Sequence, residues 1–92
     1  LFVLEELFME NDYVRVIFNL ADRNEKHDLD IPLNISAYEL MVSLNSAFEL
    51  GVDVSNVRNC FLSAERPIAL LRGERTLREL GIREGSLITY KK

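Results

Sequence analysis

Between Ala37 and Phe48 the apolar side chains fall at Ala37, Leu40, Met41, Leu44, Ala47 and Phe48. That is the i, i+3, i+4, i+7 spacing of one buried helical stripe. Glu39, Ser43, Asn45 and Glu49 take the opposite side. Ser36 stands where an N-cap is needed, since its hydroxyl accepts from an N–H of the first turn, and Glu39 three residues on completes a capping box. Gly51 follows the last apolar residue and suits a left-handed C-cap. The pattern predicts a helix over 36–50. A helix of this length is marginal alone in water, so it needs a surface to lie on.

The other apolar segments alternate with period two and read as strands that make that surface. In Tyr13–Leu20 the side chains Val14, Val16 and Phe18 share one face, and Tyr13, Arg15 and Ile17 the other. Asp22–Lys26 is a polar turn. His27–Leu33 follows with Leu29, Ile31 and Leu33 inward and Asp28, Asp30 and Pro32 outward. Pro32 has no N–H to give a ladder, which marks an edge or an end. After Gly51, Asp53 and Ser55 read as turn residues. Val57–Ser63 is a third strand with Cys60 and Leu62 inward and Phe61 outward, and Pro67–Leu71 a short fourth. Thr76–Gly81 reads as one helical turn, capped by Thr76, boxed by Glu79 and ended by Gly81. Ser86–Tyr90 is the last strand, expected to lie between the first and third. The order predicts an α+β roll, a four- to five-stranded mixed sheet packed on one helix. Leu44 is expected between helix and sheet, against Val16 and Leu87.

Ninety-two residues suit one domain with one modest core. No apolar run is long enough to span a bilayer, so no membrane insertion is expected. The start carries Glu5 and Glu6 and no base, unlike a signal peptide, and the single cysteine, Cys60, allows no internal disulfide and reads as a small core residue. The expected location is cytoplasmic. The net charge is −4, but most of the fifteen acids precede Val57 and most of the eleven bases follow it. A solvated surface and a partner-seeking basic face both fit that split. Nucleic acid is not expected, because the bases are not interleaved with aromatics in a stacking pattern.

Catalytic groups do not assemble in the sequence. His27 is the only histidine and reads as a surface residue beside an exposed strand. No His/Cys cluster has zinc spacing. Gly73, Gly81 and Gly85 are spaced as turn residues and not as a phosphate-cradling loop. Asp28 and Asp30 share one side of a strand, better read as a solvated face than as a cation site. No enzyme activity, cofactor or metal is expected.

The ending Gly73-Glu-Arg-Thr-Leu-Arg-Glu-Leu-Gly-Ile-Arg-Glu-Gly-Ser-Leu-Ile-Thr-Tyr90 resembles the tail of a ubiquitin-like β-grasp domain, and the resemblance extends over residues 13–91. It implies a ubiquitin-like domain over residues 13–92. Within the superfamily the chain looks most like the small YukD-like accessory proteins of bacterial type VII secretion, on Val14–Phe18, Leu40, Leu44 and Leu80–Leu87. The resemblance implies a non-catalytic protein-binding module and a partner in the secretion machine. Conjugated members end in Gly-Gly, whereas this sequence ends Lys91-Lys92, so conjugation is not expected. A domain cut from a larger protein, and a modifier with its tail removed, are the alternatives.

The resemblance also implies a binding face, on the side of the sheet away from the helix. The strand alternation predicts Phe61, Ile88 and Tyr90 there, with Ile17 nearby and Arg15, Arg58 and Arg66 as a charged rim. Residues 1–12 form an N-terminal extension, native or added for expression, with Met9 as a candidate native start. Leu1, Phe2, Val3, Leu4, Leu7 and Phe8 are apolar enough to gain by docking. The expected host is the sheet face of a neighbouring copy near Phe61 and Tyr90, with Glu5 and Glu6 toward Arg58 or Arg66, giving a homo-oligomer.

Overall fold

A computed structural model describes residues 12–92. The extension expected at residues 1–12 and its docking lie, Asp12 apart, outside the described residues. The elements are β1 (Tyr13–Leu20), β2 (Glu25–Pro32), α1 (Ala37–Phe48), β3 (Leu62–Glu65), β4 (Ala69–Leu71) and β5 (Leu87–Tyr90), with single 3-10 turns at Ala21–Arg23 and Val57–Asn59. The sheet order is β2-β1-β5-β3-β4. The last strand therefore inserts where expected, parallel to β1 and antiparallel to β3.

Local signals build the helix. The Ser36 hydroxyl accepts from Glu39 N at 3.0 Å, and the Glu39 carboxylate accepts from Ser36 N at 2.8 Å. The remaining first-turn N–H groups find partners in the loop after β4, where Ala37 N donates to Arg75 O and Tyr38 N to Gly73 O, both at 2.9 Å. A helix start would otherwise leave these donors unpaired. Ala37, Leu40, Met41 and Leu44 are buried. Ala47, expected in the stripe, is exposed, and Phe48 is half-buried. The helix also ends before Gly51. Glu49 takes the left-handed conformation (φ 53°), and the Asn45 side-chain amide binds both Val52 N (2.9 Å) and Val52 O (3.2 Å). Leu50, buried just beyond the cap, supplies the apolar contact that commonly accompanies this kind of ending.

The β1–β2 hairpin pairs eight residues on each side, from Tyr13↔Pro32 to Leu20↔Glu25. Asn24 (φ 55°) closes its turn, a conformation that asparagine tolerates. β2 starts two residues earlier than the alternation suggested. That register sets His27 opposite Phe18, on the helix side, with its ring 4.9 Å from Phe48. His27 keeps 39% of its side chain exposed, with Nε2 3.2 Å from Glu25 Oε1, so it remains a surface histidine while one side of its ring packs toward Phe48.

Two strands differ from expectation at their starts. Val57–Asn59 forms a 3-10 turn, because Asn59 N and Cys60 N bond back to Asn56 O and Val57 O. Pairing begins only at Leu62. Residues 66–68 form the β3–β4 turn, so β4 begins at Ala69. The reciprocal Thr76/Glu79 bonds form as expected (3.0 and 3.1 Å), and Leu80 N donates to Thr76 O at 3.1 Å, closing the one helical turn.

The largest correction is the face of β5. Ile88 is 1% exposed and packs in the core; it does not point outward. Tyr90 lies on the same inward side, half-buried against the core. The cause is pairing: Ile88 lies opposite Phe18 and Ala64, and Tyr90 opposite Leu20, all buried partners. Leu87 and Thr89 take the outer face. Leu44 accordingly lines the same core space as Val16 and Ile88, not Leu87. A one-residue slip sends every side chain of a strand to the other face.

Candidate protein-binding face

The helix covers one side of the sheet, and the registers define what stands on the other. Reading across from β2 to β4, one row is Asp28, Ile17, Leu87 and Glu65, with Ile68 at the turn edge. The next row is Lys26, Asn19, Thr89, Ser63 and Leu70. Ile68 is 90% exposed and Leu70 50%, while Ile17 and Leu87 are half-buried by their neighbours. Phe61, 42% exposed, stands at the end of this face where β3 begins. The open face thus carries apolar side chains around a polar centre of Asn19, Thr89 and Ser63.

Of the residues expected at the site, Ile17 and Phe61 lie on this side of the sheet, and Ile88 does not. Tyr90 reaches the surface only at the sheet end, where it and Phe61 line a common cleft. Arg58 is exposed in the 3-10 turn beside Phe61. Arg66 sits at the other end, at the β3–β4 turn. Its guanidinium donates from Nε (3.3 Å) and Nη2 (3.2 Å) to Gly85 O, so it braces backbone and does not rim Phe61. Ile68, Leu70 and Leu87 were missed. A signal for the β5 face was present: Thr89 is polar between Ile88 and Tyr90, so placing it outward brings Leu87 out with it.

The charged edge of the face is ordered. Arg15 Nε and Nη2 donate to Asp30 Oδ1 and Oδ2 at 2.8 and 3.1 Å, a bidentate fork. The hydrogen bond and charge of Arg15 hold the Asp30 carboxyl below its ordinary range, and Asp30 raises Arg15 in return. Asp30 is thereby engaged by a guanidinium and not set up as half of a cation site. Among the described residues no three His, Cys, Asp or Glu side chains converge as metal ligands. Cys60 is fully buried, its Sγ 3.4 Å from Asn56 O and 3.6 Å from Asp53 O. Burial, and secondarily the charge of Asp53, push the thiol up, away from the nucleophilic thiolate. No helix among the described residues is long and apolar enough to cross a membrane.

The arrangement of strands and helix has counterparts among solved structures. The C-terminal ubiquitin-like domain of mouse tubulin-specific chaperone e matches with a TM-score of 0.63 at 12% identity, over 89% of this chain and 90% of that one. This chain has the ubiquitin-like fold. A ubiquitin-like domain of an Arabidopsis thaliana protein matches at TM-score 0.59 and 14% identity, over 84% of this chain and 73% of that one. The ubiquitin-like domain of Plasmodium falciparum Dsk2 matches at 0.57 and 13%, over 87% and 100%. At such identities the backbone path carries the likeness, and on a ubiquitin-like fold the function must be argued from the surface. No protein-family model and no curated protein sequence matches the chain.

Proposed function

We propose that this chain is a non-catalytic ubiquitin-like module that binds another protein through the open face of its sheet. In the fuller form of the proposal it is a cytoplasmic accessory or regulatory component of a bacterial type VII secretion system. The observation that supports binding is the open face, where Ile68 and Leu70 stand exposed on the same side as Ile17 and Leu87. Apolar side chains gathered on one exposed face, with charged groups at its margin, fit a protein interface. The secretion assignment draws on the resemblance of Val14–Phe18, Leu40, Leu44 and Leu80–Leu87 to the YukD-like proteins. A second reading, a ubiquitin-like domain working within a longer protein, is favoured by the solved structures it resembles, which are themselves described as domains.

The test is a titration of isotopically labelled chain with each purified cytosolic component of the secretion machine in turn, followed by amide shifts. The proposal expects shifts at Ile17, Ser63, Leu70, Leu87 and Thr89. It also expects Leu70→Asp to weaken binding about tenfold or more while the fold persists. Shifts confined to the solvent side of α1, around Glu39 and Ser43, would move the interface off the sheet. Absence of binding to any component of the machine would favour the domain reading.

A further inference from the structure

A cleft of about 390 Å3 opens at the end of the sheet, between the loop after α1, the start of β3 and the end of β5. Val52, Phe61 and Tyr90 give it apolar walls, and Lys91 and Lys92 stand at its lip. Its one acid, Asp53, is engaged internally: Oδ1 accepts from Ser55 N at 3.0 Å and from Ser55 Oγ at 2.6 Å. Neither lysine side chain has an ion pair among the described residues. Arg58 is exposed one residue from the lining Asn59, and continuing the β3–β4 register sets the exposed Arg72 across from Phe61. Asp22 stands beside Lys92, whose N donates to its Oδ2 at 2.7 Å, so the cleft joins apolar walls to the two lysine side chains with one acid bonded to the backbone next to them.

We propose that this cleft receives residues Leu1–Phe8 of a second copy of the chain, in a reciprocal dimer. The segment has the complementary chemistry, with Glu5 and Glu6 set among Leu1, Phe2, Val3, Leu4, Leu7 and Phe8. Leucine and phenylalanine suit walls of Val52, Phe61 and Tyr90, and the two acids suit the lysine lip. Reach argues for a second copy. Asp12 is held at the far end of β1, where its carbonyl accepts from Leu33 N (2.8 Å) and its carboxylate from Arg78 Nη2 (2.7 Å). β1 runs parallel to β5, with Leu20 level with Tyr90. Lys91 is thus nine residue steps of about 3.3 Å beyond Asp12, or about 30 Å. Fully extended, Glu6 and Glu5 lie at most about 22 and 25 Å from Asp12. Residues before Asp12 must first reverse direction, since β1 leaves Asp12 toward the cleft. An own-chain pairing would therefore take full extension and both side chains at full stretch, which a second copy does not require. Mutual exchange fills two clefts at once and closes the assembly with two-fold symmetry, so that two small seats add.

The inference is separate from the open-face reading, because Leu70 and Leu87 take no part in the cleft. Sedimentation equilibrium of the full chain and its full-length variants tests it. The wild type is expected to dimerise at micromolar concentrations, and low salt is expected to tighten the dimer. Lys91→Glu with Lys92→Glu should weaken it about tenfold or more, as should Glu5→Lys with Glu6→Lys. Combining all four changes should restore it, which a folding defect would not allow. Leu70→Asp should leave it unchanged. A wild type that stays monomeric at high micromolar concentration, or dimerises equally well with the lysines reversed, overturns the proposal. So does a dimer that Leu70→Asp abolishes, since its seat would then be the open face.

Discussion

Replacing Ile88 by alanine, beside Leu87 by alanine, tests the β5 register that decides which side chains the open face presents. Ile88 is 1% exposed and lines the space shared by Val16, Phe18, Leu40 and Leu44. The substitution removes three carbons. At about 0.8 kcal/mol per buried methylene the transfer loss is about 2.4 kcal/mol. The cavity left behind adds to it, which brings the total to about 3–4 kcal/mol, inside the usual range of about 2–5 for such truncations. For a domain of this size, stability is of the order of 5–14 kcal/mol, so the variant should still fold. Each kcal/mol moves the melting temperature by about 4–8 °C, which predicts a fall of about 12–30 °C. Leu87 is half-buried on the outer face, so Leu87→Ala should cost about 1 kcal/mol or less. Urea unfolding of both variants, with m unchanged, gives the comparison. If Leu87→Ala proves the costlier of the two, the strand presents the other face and the composition of the open face is wrong.

Asp30 is held below its ordinary value of 3.8 by Arg15, so its contribution is present above that value and lost as pH falls through the lowered one; the stability gap between wild type and Asp30→Asn should close under acid, and a gap independent of pH would show that the fork contributes nothing. Ser86 is fully buried, donating to Arg66 O (2.6 Å) and accepting from Arg83 N (3.0 Å); Ser86→Ala strands both groups and should cost about 1–3 kcal/mol, whereas a thermal melt within a degree of wild type would mean that water replaces the hydroxyl at no cost. The Cys60 thiol, buried and pushed up, should resist iodoacetamide at neutral pH until denaturant is added; labelling of the native protein at the rate of free cysteine would refute its placement.

Much of the fold was legible because its signals are local. The Ser36/Glu39 and Thr76/Glu79 pairs are bonds between residues three apart, and a capping box needs no knowledge of the rest of the chain. The stripe Leu40, Met41 and Leu44 and the alternation of β1 have enough repeats to define their own faces. Starts and ends were less legible. Backbone bonds from Asn59 N and Cys60 N to Asn56 O and Val57 O turned the expected beginning of β3 into a 3-10 turn, and Asn45 ended the helix before its glycine.

The sequence alone determined the element order, the helix seam and the place of the last strand, because spacing and caps encode them. Tertiary structure decided what the surface offers. β5 is four residues long, and its face is chosen by Phe18 and Leu20, some seventy positions away, and by Ala64. Strand pairing with distant partners costs the same chain entropy in either register, and burial of Ile88 and Tyr90 against those partners settles which one forms. The cleft has the same origin. Val52, Phe61 and Lys91 belong to three separate stretches, and nothing in any one of them announces the others until the sheet closes and brings their ends together.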